Sequence, residues 1–107
     1  MSEQAILQVY QAGALTVIGF GGRRVLDDIN VADCRDELVQ LVKRHQCQTL
    51  AFDLTDVKVI PSGLLGLLAS LRQLGVEVHL YNPSADIQEV LEVTKLERLM
   101  KVHEVEL

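Results

Sequence analysis

The amino-acid sequence predicts an α/β fold in which a mixed β-sheet of four or five strands packs against about three to four α-helices. Short runs rich in apolar and β-branched residues alternate with longer segments in which leucine and valine recur every three or four positions. Strands separated by helices favour parallel pairing, whereas strands that follow each other directly favour a hairpin. The chain has 107 residues, which is the size of one domain. We therefore expect a single domain over residues 1–107.

The start of the chain predicts a β-hairpin. Residues 5–11 and residues 14–19 are largely apolar runs on either side of a turn near Gly13. The glycine pair at residues 21–22 ends the second run. These two strands are therefore expected to pair antiparallel.

The first helix is predicted from about Val31 to His45, with Asp28 or Asn30 available to cap its N-terminus. The apolar run over residues 48–54 then predicts a central strand that is covered on both faces. The helix spacing places one stripe of side chains towards the core, namely Val31, Cys34, Leu38, Leu41 and Val42.

The second helix is predicted over residues 62–74 and ends at Gly75. Its core face is expected to carry Leu64, Leu67, Leu68 and Leu71. The remaining elements expected are a strand over residues 76–81, a helix over about residues 85–93, a helical turn over residues 96–100 and an edge strand over residues 102–105. The third helix should direct Ile87, Val90 and Leu91 inward.

The charge of the chain argues against a nucleic-acid partner. The formal net charge is −5, and the only adjacent basic pairs are residues 23–24 and residues 43–44, each close to acidic residues. The polar first residues do not resemble a signal peptide, and no apolar run is long enough to span a bilayer. We expect a cytoplasmic protein without direct membrane insertion.

The histidines and cysteines do not predict an active site or a metal site. His45, His79 and His103 lie on three different predicted elements, and no nucleophile motif accompanies them. Cys34 and Cys47 lack the spacing of a metal or redox motif, so they are expected to be reduced and buried. The sequence thus favours a protein that is not an enzyme.

The glycine run at residues 19–22 does not predict a dinucleotide site. Arg24 stands where the third glycine of that motif belongs, and the run follows a hairpin strand without opening directly into a helix. No cofactor is therefore expected. Asp53 and Asp56, the acidic residues before the second helix, are expected to serve in turns and capping rather than as ligands.

The start of the second helix is the most informative segment. Pro61, Ser62 and Gly63 follow a strand and a short polar turn, so the first N–H groups of the helix should face solvent. Such groups suit a phosphate, a carboxylate or the loop of a partner protein. Pro61 should stiffen this corner, and the Ser62 hydroxyl is expected to cap the helix.

Several segments resemble the STAS domain family, which includes the anti-sigma-factor antagonists. Residues 52–57 (FDLTDV) are similar to the family's strand ending in D-L-S-x-V, and residues 62–64 are similar to its S-G-L helix start. Residues 75–84 and 90–96 look like its later strand and helix. The resemblance implies a STAS-like fold over nearly the whole chain.

The resemblance also identifies a departure from the family. In members that act as partner switches, the loop before the second helix reads D-S-S-G or D-T-S-G. The first Ser or Thr is phosphorylated by a kinase that is also the anti-sigma factor. Those positions correspond here to Ile60, Pro61, Ser62 and Gly63. Proline has no hydroxyl, so the usual phospho-acceptor is absent, and Ser62 is a weaker candidate for phosphorylation.

The resemblance implies a non-enzymatic module that regulates transcription by partner switching, with a GHKL-type anti-sigma kinase as its partner. An alternative is an accessory subunit of an ATP-driven lipid transporter, bound to the ABC transporter ATPase subunit. Direct binding of a small anion or nucleotide is a weaker third hypothesis, because no lysine or arginine adjoins Ser62. The residues expected to bind the partner are Asp27, Asp28, Asp56, Ile60, Pro61, Ser62, Gly63 and Leu64.

Overall fold

A five-stranded mixed sheet forms the centre of the protein, and its strand order follows the chain order, β1-β2-β3-β4-β5. The computed structural model describes residues 7–20, 24–26 and 29–104. β1 pairs antiparallel with β2, and β2 to β5 run parallel. The predicted fold class is confirmed.

The strands and helices lie close to their predicted positions. The strands are β1 (Gln8–Gln11), β2 (Leu15–Gly19), β3 (Thr49–Asp53), β4 (Glu77–Tyr81) and β5 (Lys101–His103). The helices are α1 (Val31–His45), α2 (Ser62–Ser70) and α3 (Ala85–Thr94), with 3₁₀ turns at Leu71–Leu74 and Leu96–Arg98. Residues 5–6 of the predicted first strand and Val105 of the predicted last strand lie outside the described residues.

The strand order determines where the helices and loops lie. Each parallel crossover moves one strand further in the same direction, so right-handed crossovers place α1, α2 and α3 on one face of the sheet. The loops that follow β2, β3 and β4 consequently meet at the edge formed by the carboxyl ends of these strands. In open α/β sheets this edge is the usual place for a binding site.

Helix α1 begins at an asparagine cap. The Asn30 Oδ1 atom accepts a hydrogen bond from the Asp33 N–H at 3.0 Å, so Asn30 fills the role left open between Asp28 and Asn30. Asp28 itself lies outside the described residues. The helix ends at Gln46, whose φ of 50° is left-handed. The predicted inward stripe is confirmed, with its central members Cys34, Leu38 and Val42 buried.

Helix α2 is shorter than the sequence predicts. The α-helix stops at Ser70, and residues 71–74 form a 3₁₀ turn before Gly75 takes a left-handed φ of 85°. The Ser70 hydroxyl donates to the Leu67 carbonyl at 2.7 Å, while the Leu71 N–H bonds to the Leu68 carbonyl. Because the backbone at Leu71 takes a three-residue spacing in place of four, the last turn tightens.

Two histidines that sequence places on separate elements meet on the sheet face opposite the helices. His79 Nδ1 lies 2.9 Å from His103 Nε2, and His79 Nε2 lies 3.1 Å from Glu77 Oε1. Lys101 Nζ lies 3.3 Å from the same oxygen. These contacts, the His79 hydrogen bond first, lower the pKa of the Glu77 carboxyl. The chain of contacts joins β4 to β5.

Cys34 should be unreactive in the folded protein. It is fully buried on α1, and burial, with a smaller contribution from the Glu37 carboxylate, raises the pKa of its thiol to about 11. The folded state therefore holds this proton more tightly than the unfolded state, in which the pKa of the thiol is close to its ordinary value of 9.0. Stability linked to Cys34 is complete below that value and is lost as the pH rises towards about 11.

We expect urea unfolding to show falling stability between these two pH values, and a thiol reagent at pH 8 to leave Cys34 unmodified. A Cys34→Ala variant should be less stable at neutral pH, because a cavity forms, but should show a shallower decline at high pH. Cys47→Ala is the matched control and should keep the steep decline. Rapid modification of Cys34 in the folded protein would contradict the prediction.

Candidate functional site

The loop between β3 and α2 is built around two aspartates. The Asp53 Oδ1 atom accepts a hydrogen bond from the Thr55 N–H at 3.0 Å, which is an Asx turn. Asp56 takes a left-handed φ of 69°, a conformation that aspartate tolerates better than most residues. The Val57 N–H then closes the turn on the Leu54 carbonyl at 3.0 Å. Asp53 thus serves in a turn, as the sequence indicates.

A second segment, before α1, pairs with this loop. Val25 and Val59 form an isolated parallel bridge, and the Leu26 N–H donates to the Val59 carbonyl at 2.9 Å. The N–H groups of Lys58 and Val59 both donate to the Arg24 carbonyl, at 2.7 and 3.1 Å. These three hydrogen bonds satisfy the backbone groups of the loop before Pro61 and tie it to the segment before α1.

Pro61, rather than Ser62, is the N-cap of α2. Its φ of −68° and ψ of 144° are extended, and its carbonyl accepts from the N–H groups of Leu64 at 3.0 Å and Leu65 at 3.2 Å. Ser62 is already the first helical residue, and the helix start has no side-chain cap. The prediction that Ser62 caps the helix is therefore wrong, because proline occupies the only position from which a side chain could do so.

The first turn of α2 leaves hydrogen-bond donors and a hydroxyl at the surface. Ser62 and Gly63 are exposed, and Pro61 is half-buried. Within the described part of the chain, the N–H groups of Ser62 and Gly63 have no backbone acceptor. A Cβ atom built on Gly63 meets nothing within 4 Å. The helix start is open to a visiting group, as the sequence predicts.

Two of the residues predicted to bind the partner lie in the core. Ile60 is 8% exposed and Leu64 is 0% exposed, so their side chains support the loop from below and are not available for contact. The sequence places both in the right segment without indicating which way they point. Asp56 is exposed, whereas Asp27 and Asp28 lie outside the described residues.

The structure adds residues that sequence reasoning missed. Val25 and Val59 are 46% and 47% exposed although both are apolar, and they lie side by side through their bridge. Arg24 and Lys58, the sequence neighbours of these two valines, are exposed as well. The sequence shows the apolar Val59 directly before Ile60 but does not indicate that its side chain is exposed. We call the following set the docking surface: Arg24, Val25, Asp56, Lys58, Val59, Pro61, Ser62 and Gly63.

The described residues contain no group of three His, Cys, Asp or Glu side chains placed to hold a metal ion. No helix in the described ranges is both long and apolar enough to cross a membrane. The docking surface thus consists of backbone donors, two exposed valines and a few charged side chains. Such a surface is suited to contact with another protein.

Solved structures with this fold include regulatory proteins. The anti-sigma factor antagonist SpoIIAA in its unphosphorylated form gives a TM-score of 0.73 at 20% identity, over 90% of this chain and 86% of that chain. SpoIIAA in its phosphorylated form, described as a Bacillus cell fate determinant, gives 0.62 at 18% identity, over 90% and 89%. TM1081 of Thermotoga maritima gives 0.71 at 19% identity, over 92% and 86%. These similarities show a shared fold.

No curated protein sequence matches the chain significantly. The sequence profile of the STAS domain, in contrast, matches residues 7–106. This range runs from the residue before β1 to beyond β5 and includes the docking surface. The resemblance seen in the sequence is thereby confirmed, and the chain belongs to the STAS domain family.

Proposed function

We propose that this protein is a non-enzymatic regulatory module that binds a partner protein through the docking surface, in the manner of an anti-sigma-factor antagonist. The observation that carries the proposal is the rigid, solvent-facing start of α2. There, Ser62 and Gly63 present exposed backbone donors beside an exposed pair of valines. A partner that binds this corner meets a preformed surface.

The physical character of the docking surface favours a protein over a small ligand. The bridged pair Val25 and Val59 can be buried only by a partner that covers both the loop before Pro61 and the segment before α1. Arg24, Asp56 and Lys58 carry both signs of charge around this apolar centre. An apolar centre with a charged rim is the usual composition of a protein interface. Because the backbone is already fixed, little conformational entropy is lost on binding.

The proposed partner is a GHKL-type anti-sigma kinase. The support comes from the fold shared with SpoIIAA, an anti-sigma factor antagonist solved in unphosphorylated and phosphorylated forms. The family resemblance puts the phospho-acceptor at Pro61, which has no hydroxyl. In our proposal, the complex is therefore controlled by the nucleotide state of the kinase or by protein abundance, and not by phosphorylation of this chain.

The alternative partner, the ATPase subunit of a lipid transporter, would use the same docking surface. Genomic neighbours separate the two proposals. A kinase and a sigma factor beside the gene favour regulation of transcription, whereas permease and ATPase subunits favour the transporter.

A Gly63→Arg substitution should weaken the affinity for the anti-sigma kinase encoded beside this gene at least tenfold, or by about 1.4 kcal/mol of binding free energy. The arginine places bulk and charge on the exposed first turn of α2, where open space around Gly63 lets the fold accept it. Isothermal titration with the purified kinase measures the loss. Gln73→Arg, an exposed change of equal charge in the 3₁₀ turn after α2, is the matched control and should bind like the wild type.

A pull-down before and after incubation with ATP tests the mode of control. We expect the same amount of kinase in both samples. In the titration, equal affinity of the Gly63→Arg and wild-type proteins for the kinase would contradict the assignment of the docking surface. Dissociation accompanied by phosphorylation of this chain would overturn the proposed mode of control.

A further inference from the structure

A groove of about 480 Å³ lies at the other end of the sheet from the docking surface. It separates the segment at the start of β4 from the segment that leads into β5, within residues 72–78 and 97–101. Val76, Val78 and Met100 give it an apolar floor, since all three are buried hydrophobic residues. The groove is large enough to hold a few residues of peptide.

The backbone of β4 is unpaired along part of this groove. β5 pairs with β4 only from His79 onwards, where Lys101 is its partner, so the earlier part of β4 pairs with β3 on one side and with no strand on the β5 side. The Glu77 N–H donates to the Gln48 carbonyl on the β3 side at 2.9 Å. Because donors alternate along a strand, the N–H groups of Val76 and Val78 face the groove side. The Val76 N–H has no partner among the residues that the structure describes.

The charges around the groove favour an anionic ligand. Arg72 and Arg98 both line it, and neither forms an ion pair within the described ranges. Of the two acidic residues, Glu77 is already engaged by Lys101 and His79, which leaves Glu97 as the opposing charge. Two free guanidinium groups beside one free carboxylate make the groove locally positive in a chain of net charge −5.

We propose that this groove binds the C-terminal segment of a partner protein as a short strand beside β4, with its free carboxylate held by Arg72 and Arg98. β5 occupies the same side of β4 from Lys101 onwards, so the space is closed at that end and accommodates a chain terminus rather than a continuous segment. An N-terminal ammonium group would be repelled by the arginines. A chain whose carboxylate points towards β5 runs parallel to β4 and can pair with the N–H groups that face the groove, that of Val76 first.

Fluorescence anisotropy with two labelled hexapeptides tests this site. Both consist of alternating threonine and valine and carry the label at the N-terminus. One ends in a free carboxylate and the other in an amide. We expect the free acid to bind about tenfold more tightly than the amide, because a charge-assisted contact with arginine is lost in the amide. The Arg72→Gln/Arg98→Gln double variant should abolish this difference, and Arg35→Gln, an exposed change on α1, should preserve it.

Equal binding of the two peptides would make the groove a site for internal segments and would overturn the proposal. Failure of both peptides to bind, or an unchanged preference in the double variant, would also overturn it. The Gly63→Arg variant separates this inference from the proposed function. It should leave peptide affinity unchanged, whereas a weakened affinity would place the peptide on the docking surface. Shifts of the Val76 and Val78 amide resonances on addition of the free acid would locate it in the groove.

Discussion

Replacing Leu65 with alanine is expected to lower the free energy of unfolding by about 2–5 kcal/mol. Leu65 is 0% exposed and belongs to the hydrophobic core, in the first turns of a helix, α2, that contacts α1. The substitution removes buried apolar atoms and leaves a cavity that a close-packed interior fills only in part. Urea unfolding followed by circular dichroism measures the change. Because α2 begins at the docking surface, unfolding removes that surface. The Leu65→Ala variant should therefore lose partner affinity at a lower urea concentration than the wild type.

Leu74→Ala is the matched control for this prediction. Leu74 lies in the 3₁₀ turn after α2 and is 41% exposed, so its truncation should change the stability by no more than about 0.5 kcal/mol. The sequence pattern does not separate the two leucines by itself. It selects Leu64, Leu67, Leu68 and Leu71 as the core face and omits Leu65. A loss in Leu65→Ala as small as that in Leu74→Ala would contradict the core position of Leu65.

The positions of α1, α3 and β4 follow from periodicity because each of these elements buries one regular set of side chains. Helix α1 illustrates this, since every predicted inward residue is buried or packs against the core. Helix α2 is different. It is apolar nearly all round, so its burial pattern carries little information about which leucines face the core. The change to a 3₁₀ turn after Ser70 leaves no mark in the apolar periodicity either.

The sequence locates the docking surface on the chain, but it does not show which of its side chains face solvent. Pro61, Ser62 and Gly63 mark the start of α2 by their residue types alone. That Ile60 points inward while Val59 points outward depends on the bridge to Val25, which is distant in sequence. Pairings between distant loops are tertiary contacts, and a local pattern does not encode them. For this reason the sequence does not reveal that the segment before α1 forms part of the docking surface.

If the proposed partner kinase is correct, a Pro61→Ser variant is expected to become its substrate and to lose affinity for it about 100-fold once phosphorylated. Serine restores a hydroxyl at the N-cap of α2, where the family resemblance places the phospho-acceptor. Phosphorylation adds a charge of roughly −1.5 to −2 beside the free N–H groups of Ser62 and Gly63, which the helix start accommodates. The same charge would lie in the contact with the partner, where its desolvation is unfavourable.

The choice of this single substitution follows from the structure. A complete D-S-S-G loop would also require Ile60→Asp, but Ile60 lies in the core, and a carboxylate there would be buried without a partner. Pro61→Ala is the matched control, since it relaxes the backbone equally but supplies no hydroxyl. Intact-protein mass spectrometry after incubation with kinase and ATP should show one added phosphoryl group in Pro61→Ser and none in Pro61→Ala. If Pro61→Ser stays unmodified while a phosphorylatable member of the family is labelled as a control, the phospho-acceptor position of the family does not lie at residue 61. If the wild type is labelled at Ser62, then proline has moved the modification by one residue, and phosphorylation still controls the complex.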